Sequence, residues 1–119
     1  MSTAYKRKLS GSTDGKPIKV VAIATLGTTI HTAVAGTTAG TFDEIWLFAF
    51  NSSANAVTLT VEFGGVTVPD QNIVCTLAAQ SGLQLIVPGL ILQNGDVVTA
   101  FASVANVVTI SGWCNTMTD

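Results

Sequence analysis

The chain has 119 residues, of which 48% are hydrophobic and only 10% charged, with a mean hydropathy of +0.53. That length fits one domain, which would bury about two-thirds of its unfolded surface. So apolar and charge-poor a composition excludes disorder, coiled coil and a protein that coats nucleic acid.

The net charge of −2 conceals a strong asymmetry. All five basic residues (Lys6, Arg7, Lys8, Lys16 and Lys19) fall within the first 19 positions, which carry +4. The rest of the chain has no Lys or Arg and carries −6. Residues 1–17 are polar, rich in Ser and Gly from Ser10 to Gly15, and closed by Pro17, which predicts a flexible basic N-terminal arm. Such an arm suits an acidic neighbour, for instance the body of another copy. Five charges without interleaved aromatic residues make a poor nucleic-acid footprint, so nucleic acid is not expected as a partner.

From Ile18 to Asp119 the chain reads as strands. Seventeen Thr and fourteen Val favour pleated backbone, because β-branched side chains crowd a helix. Strands are predicted near 18–25, 28–35, 42–50, 56–63, 66–69, 72–77, 82–87, 96–102 and 106–113, separated by Gly, Asn and Asp turns. No segment holds a helical apolar stripe over three turns. His31, the only histidine, sits in the second of these strands without a carboxylate near it in sequence, which makes it structural. Segment 42–50 is apolar on both faces, with Ile45, Leu47 and Ala49 on one and Trp46, Phe48 and Phe50 on the other. One face belongs to the core, and the other must meet a loop, the arm or a second subunit. Asp43 and Glu44 fall on opposite faces at what reads as a solvated strand entrance. The run Val57–Phe63, Gly64-Gly65, Val66–Val68 predicts a tight hairpin in which apolar opposes apolar and polar opposes polar. Asp70-Gln-Asn72 and Asn94-Gly-Asp96 read as turns, having too few oxygen ligands for a calcium loop.

Cys75 and Cys114 each lie in an apolar run and read as free buried thiols. The longest uninterrupted apolar stretch, Leu85 to Leu92, is broken by Pro88 and Gly89 and far short of the roughly 20 residues a spanning helix needs. Residues 16–36 faintly imitate a signal peptide, but late in the chain and interrupted by Gly27, Thr28, Thr29 and His31. No membrane partner is expected. No nucleophile elbow, phosphate loop, dinucleotide fingerprint or metal-spaced Cys/His cluster is present, so neither an enzyme nor a cofactor is indicated. The pattern as a whole predicts a single antiparallel β-sandwich over 18–119, jelly-roll-like, with about eight strands.

Three stretches carry a resemblance: Phe42–Val61, in which an apolar strand, Asn, a small polar turn and an alternating strand follow one another; Gly82–Val98; and Ala102–Gly112. In these the body from Thr28 to Trp113 resembles small tailed-bacteriophage virion proteins. The resemblance implies a structural role as capsid decoration (cement), as a fibre module or as a tail-associated protein, and brings no catalytic residues. A one-domain chain without a stalk favours decoration: a protein assembled in the host cytoplasm, trimeric, and bound to the major capsid protein or another virion protein. Candidate partner-binding residues are Tyr5, Lys6, Arg7 and Lys8 on the arm, with Trp46, Phe48 and Phe50 at a subunit interface. The competing expectation is a receptor- or glycan-binding module at a fibre or tail tip, with Trp46 or Trp113 stacking on sugar.

Overall fold

A computed structural model describes residues 2–119 as nine strands, with no helix among them. They are β1 (Thr3–Lys8), β2 (Ile18–Val20), β3 (Thr28–Thr32), β4 (Phe42–Asn51), β5 (Val57–Phe63), β6 (Asn72–Leu77), β7 (Gln84–Leu92), β8 (Val97–Ala102) and β9 (Val108–Thr118). Two antiparallel sheets form a β-sandwich, as composition and turn spacing predict. The larger has the order β1-β9-β4-β7, with β2 also on β9, and the smaller has the order β3-β8-β5-β6. Their accessible surface is 6019 Å², close to the value expected for a folded chain of this mass.

The core lies between the sheets. Ile45, Leu47 and Ala49 of β4, Val87 of β7 and Ile110 of β9 face Leu59 and Val61 of β5 and Val98, Ala100 and Ala102 of β8. Period-two alternation makes this possible: β4 alternates without exception between buried and half-exposed side chains over its ten residues. It is one of the two central strands of the larger sheet, paired with β9 from Phe42↔Met117 to Asn51↔Val108 and with β7 on its other side.

Three expectations are corrected. First, the N-terminal segment is not a free arm. Thr3–Lys8 pairs with β9 from Thr3↔Thr118 to Lys8↔Trp113. Leu9 is 1% exposed in the core, and Gly11 N–H donates to the Ile30 carbonyl at 2.9 Å. The reason is the length of β9, whose eleven residues continue past Trp113 and offer a free edge that β1 fills. Second, Val57–Phe63 does not turn at Gly64-Gly65 into 66–69. That hairpin offers three pairs, whereas β6 offers six in unbroken register, from Val57↔Leu77 to Glu62↔Asn72, and brings Leu77 into the core and Ile73 and Cys75 against it. Residues 64–71 are instead a loop, held by a reciprocal pair between Thr67 and Gln71, with Val68 70% exposed. Third, the strand predicted at 82–87 runs through to Leu92. Gly89 is skipped between Leu90 and Pro88 in the register with β4, a bulge for which its φ of +76° suits glycine.

If the N-terminal segment is part of the fold, Leu9→Ala should cost about 2–5 kcal/mol, as for other buried leucines. The urea midpoint of the full chain reads this, and an unchanged midpoint would restore the free-arm picture.

Candidate functional site

Alternation along β4 and β9 builds two polar-aromatic constellations on opposite sides of the larger sheet. Strand pairing puts directly opposed residues on the same face. Asp43, Thr116 and Tyr5 therefore share the inner side, as do Ile45, Cys114 and Arg7. Glu44, Asn115 and Lys6 share the outer side, followed by Trp46, Trp113 and Lys8.

On the inner side Asp43 is fully buried, contrary to the solvated entrance expected for it. Its Oδ2 accepts from Arg7 Nη2 at 2.9 Å, from His31 Nε2 at 2.6 Å and from the Val34 N–H at 3.2 Å. Its Oδ1 accepts from the Thr116 hydroxyl at 2.6 Å, which itself receives Arg7 Nε at 2.7 Å. Burial works against the charged form of Asp43, but the bonds from Thr116 and His31 and the Arg7 charge outweigh it and hold the carboxyl below its ordinary value of 3.8. His31 Nδ1 accepts the Ser10 N–H at 2.9 Å, so the ring hydrogen sits on Nε2 and is donated to Asp43. Both ring nitrogens are thus taken, leaving none for a nucleophile, and the geometry of an acid–base triad is absent. Donor atoms of His31, Asp43 and Cys114 lie within 4.8 Å of one another. Any cation among them would face the Arg7 guanidinium at Asp43, so the donor set is that of an ion-pair network rather than of a metal cage. Burial raises the Cys114 thiol, and the Asp43 charge adds to this, which makes it a poor nucleophile and ligand. Cys75, on the other sheet, is half-buried, and both thiols are free.

On the outer side Phe42, Trp46, Phe48, Phe50 and Trp113 are all half-exposed, and three of them form a group. Trp46 and Trp113 lie 6.0 Å apart between centroids and within 16° of parallel. Phe48 stands 5.8 Å from Trp113, and Lys6 Nζ sits 4.6 Å above the Trp113 ring in a cation–π contact. Trp46 rests on the β7 bulge, where a Cβ on Gly89 would come within 2.8 Å of its Cζ2. Its Nε1 donates to Glu44 Oε1 at 2.9 Å, and Asn115 Nδ2 donates to the same oxygen at 2.9 Å. These two bonds hold the Glu44 carboxyl below its ordinary value. The indole is therefore fixed from below and from the side.

The predicted partner-binding residues divide accordingly. Lys6, Trp46 and Phe48 come together on the outer face around Trp113, and Phe50 lies in phase with them, half-buried. Lys8 is on the outer side as well, with its Nζ on the Ser12 carbonyl at 3.1 Å. Arg7 turns inward to Asp43, and Tyr5 is exposed on the same inward-pointing register. Sequence reasoning missed Trp113 as the centre of the aromatic group, having placed it at a strand end. It also missed the Arg7–Asp43–His31 network. The available signal was phase: Asp43 falls in register with Ile45, Leu47 and Ala49, and an acid on a core face requires a partner.

A second buried acid lies on the outer side of the smaller sheet. Glu62 is 1% exposed and accepts from the Thr99 hydroxyl at 2.6 Å, the Gly27 N–H at 2.8 Å and the Thr25 hydroxyl at 2.7 Å. Burial opposes its charge, but these donors prevail and its carboxyl too is lowered. Its role is to pin segment 21–27 over β8. Beside that segment an open cleft of about 480 Å³ is lined by Leu26, Thr29, Val66, Asp96, Val97 and neighbouring glycines.

No family model, curated protein or solved structure matches this chain.

Two measurements follow from the buried acids. Because Asp43 and Glu62 titrate lower when folded than unfolded, their stabilisation is complete above the unfolded value and fades as pH falls through the folded one. Urea midpoints taken from pH 7 down to about pH 2 should hold level and then drop below about pH 4. Arg7→Ala should cost about 1.5–3 kcal/mol, the range for a hydrogen bond to a charged group, and should weaken the acid dependence, since one of the lowering influences on Asp43 is gone. An Arg7→Ala protein with wild-type midpoints at every pH would show that β1 is not held through this pair.

Proposed function

We propose that the protein is a non-enzymatic structural component of a bacteriophage virion, a capsid decoration (cement) protein that self-associates and seats on the major capsid protein at the shell surface. The observation that carries this reading is the half-exposed aromatic group of Trp46, Trp113 and Phe48 on the outer face of the larger sheet. Aromatic side chains concentrate at protein interfaces because they remove much area from water with little loss of rotamer freedom. Two further features support it. The antiparallel couples β2/β9, β3/β8, β4/β7 and β5/β6 alternate between the sheets, a wiring we read as a jelly roll, the architecture of many viral shell and lectin domains. The resemblance of residues 28–113 to small tailed-phage virion proteins points the same way, and a trimer is the assembly it implies.

In this reading the basic strand works in place rather than as a loose clasp. Lys6 and Lys8 lie at one margin of the aromatic face, where they would meet an acidic partner, while Arg7 locks the strand that carries them. Bridging stabilises a shell because a protein that binds assembled subunits better than dispersed ones shifts the balance toward assembly.

One observation favours a second reading, a glycan-binding module. The two indoles are nearly parallel and immobilised beside Glu44 and Asn115, an arrangement that also suits the apolar face of a sugar ring with polar groups at its rim. The native mass of the full chain separates the two. A native mass that is a multiple of three and falls threefold on Trp113→Ala, with a silent glycan array, is the expected result. A monomer whose array signal disappears on Trp113→Ala would overturn the decoration reading in favour of glycan binding.

A further inference from the structure

A sandwich exposes the outer strands of its sheets, and each presents unpaired N–H and C=O groups to any passing strand unless something blocks it. In this protein all but one of those edges are blocked. Along the β1 edge Lys6, Arg7 and Lys8 follow one another, and the adjoining β2 is only three residues long. On β7 the edge carries Pro88, which has no N–H to give, and two register irregularities. β3 is bulged between Thr29 and His31, and its outer side is covered: Gly11 N–H donates to the Ile30 carbonyl, and Thr32 N–H donates to Ser10 Oγ at 2.7 Å.

β6 has none of these devices. Its sequence Asn72-Ile-Val-Cys-Thr-Leu77 contains no charge and no proline, and its register with β5 is regular throughout. Among the described residues, the backbone of Ile73–Thr76 bonds to nothing except β5. Val74 is 61% exposed on its outer side. From this unguarded edge we infer that β6 pairs with β6 of a second copy, antiparallel across a two-fold axis, joining two smaller sheets into one continuous sheet.

The strand's own sequence identifies the occupant. For the joined sheet to keep both cores on one side, inward residues must oppose inward ones, which requires the two-fold axis to pass through a residue and not between two. With the axis at Val74, Val74 opposes the copy's Val74, Asn72 opposes Thr76, and Ile73 opposes Cys75. β-branched meets β-branched, polar meets polar, and apolar meets apolar from Asn72 to Thr76. No like charges come together, since there are none, and the self-complementary patch is what a two-fold contact requires. Main-chain hydrogen bonds supply the affinity, as in other strand additions. This edge belongs to the sheet opposite the aromatic face, so the inference stands apart from the proposed function.

The test uses the full chain in sedimentation equilibrium. Val74→Lys puts two lysines face to face at the axis, and because Val74 is exposed the urea midpoint, read at dilutions where the wild type is unpaired, should stay at the wild-type value. The expected result is a twofold fall in mass at concentrations where the wild type is paired. Cross-linking gives an independent check in a Cys75→Ser background. Val74→Cys places two thiols directly opposite each other, at a Cα separation of about 4.5–5.5 Å that a disulfide spans, and mild oxidation should yield a covalent dimer. Thr76→Cys, opposite Asn72, should yield none. A wild type that is monomeric at every concentration, or a mass unchanged by Val74→Lys, overturns the inference. So does equal cross-linking from positions 74 and 76. A mass that responds to Trp113→Ala but not to Val74→Lys overturns it while leaving the aromatic-face reading standing, and the reverse response separates them the other way.

Discussion

A carboxylate stays ionised inside a protein only where donors and charge offset the loss of water, and Asp43 is fully buried. Its two oxygens gather Arg7 from β1, His31 from β3, Thr116 from β9 and the Val34 amide. One side chain thereby joins the edge of the larger sheet, its two central strands and the smaller sheet opposite. Remove Arg7, and β1 keeps its ladder to β9 but loses its only charged tie to the interior. Remove Asp43, and Arg7 and His31 lose their common acceptor. The geometry of the N-terminal third follows from this point, because Ser10 and Gly11 are held against β3 by the same turn that carries Leu9 into the core.

That anchorage decides what the basic segment can do. A flexible cationic tail would search for an acidic partner over a wide radius and lose most of its attraction to screening within a Debye length. Lys6 and Lys8 are instead presented on a fixed strand, and Lys6 is further committed to the Trp113 ring. Ordering entropy that a loose arm would lose on binding has already been lost on folding, so a partner meeting this surface gains more from each contact. The concentration of positive charge at one end of the sequence becomes a positive margin along one edge of the larger sheet, next to its aromatic rings.

Much of this was legible in the residues and some was not, for identifiable reasons. The all-β class follows from β-branched composition and turn spacing, and the two faces of β4 follow from alternation, since Trp46 and Phe48 must point away from Ile45 and Leu47. Local patterning failed where a longer partner competed with a shorter one. Gly64-Gly65 is a sound hairpin signal, but six pairs to β6 outweigh three to 66–68. Residues 3–8 lack apolar periodicity, and they form a strand because β9 extends beyond Trp113 and leaves an edge to fill. The acid network joins residues separated by 12, 36 and 73 positions, and no spacing rule connects them. Only the phase of Asp43 within β4 marks the need for a partner.

The treatment of edges and faces gives the molecule a direction. Charge and a short strand on one edge of the larger sheet, with proline and bulges on the other, discourage association by strand pairing there. Any association through that sheet would then fall to its outer face, where side-chain chemistry and not backbone hydrogen bonding would select a partner. Trp46 takes part in both devices: the bulge at Gly89 that roughens the β7 edge is also the floor on which its indole lies. A Cβ at that position would disturb edge and face together, so the protection of one and the preorganisation of the other rest on a single missing methyl group.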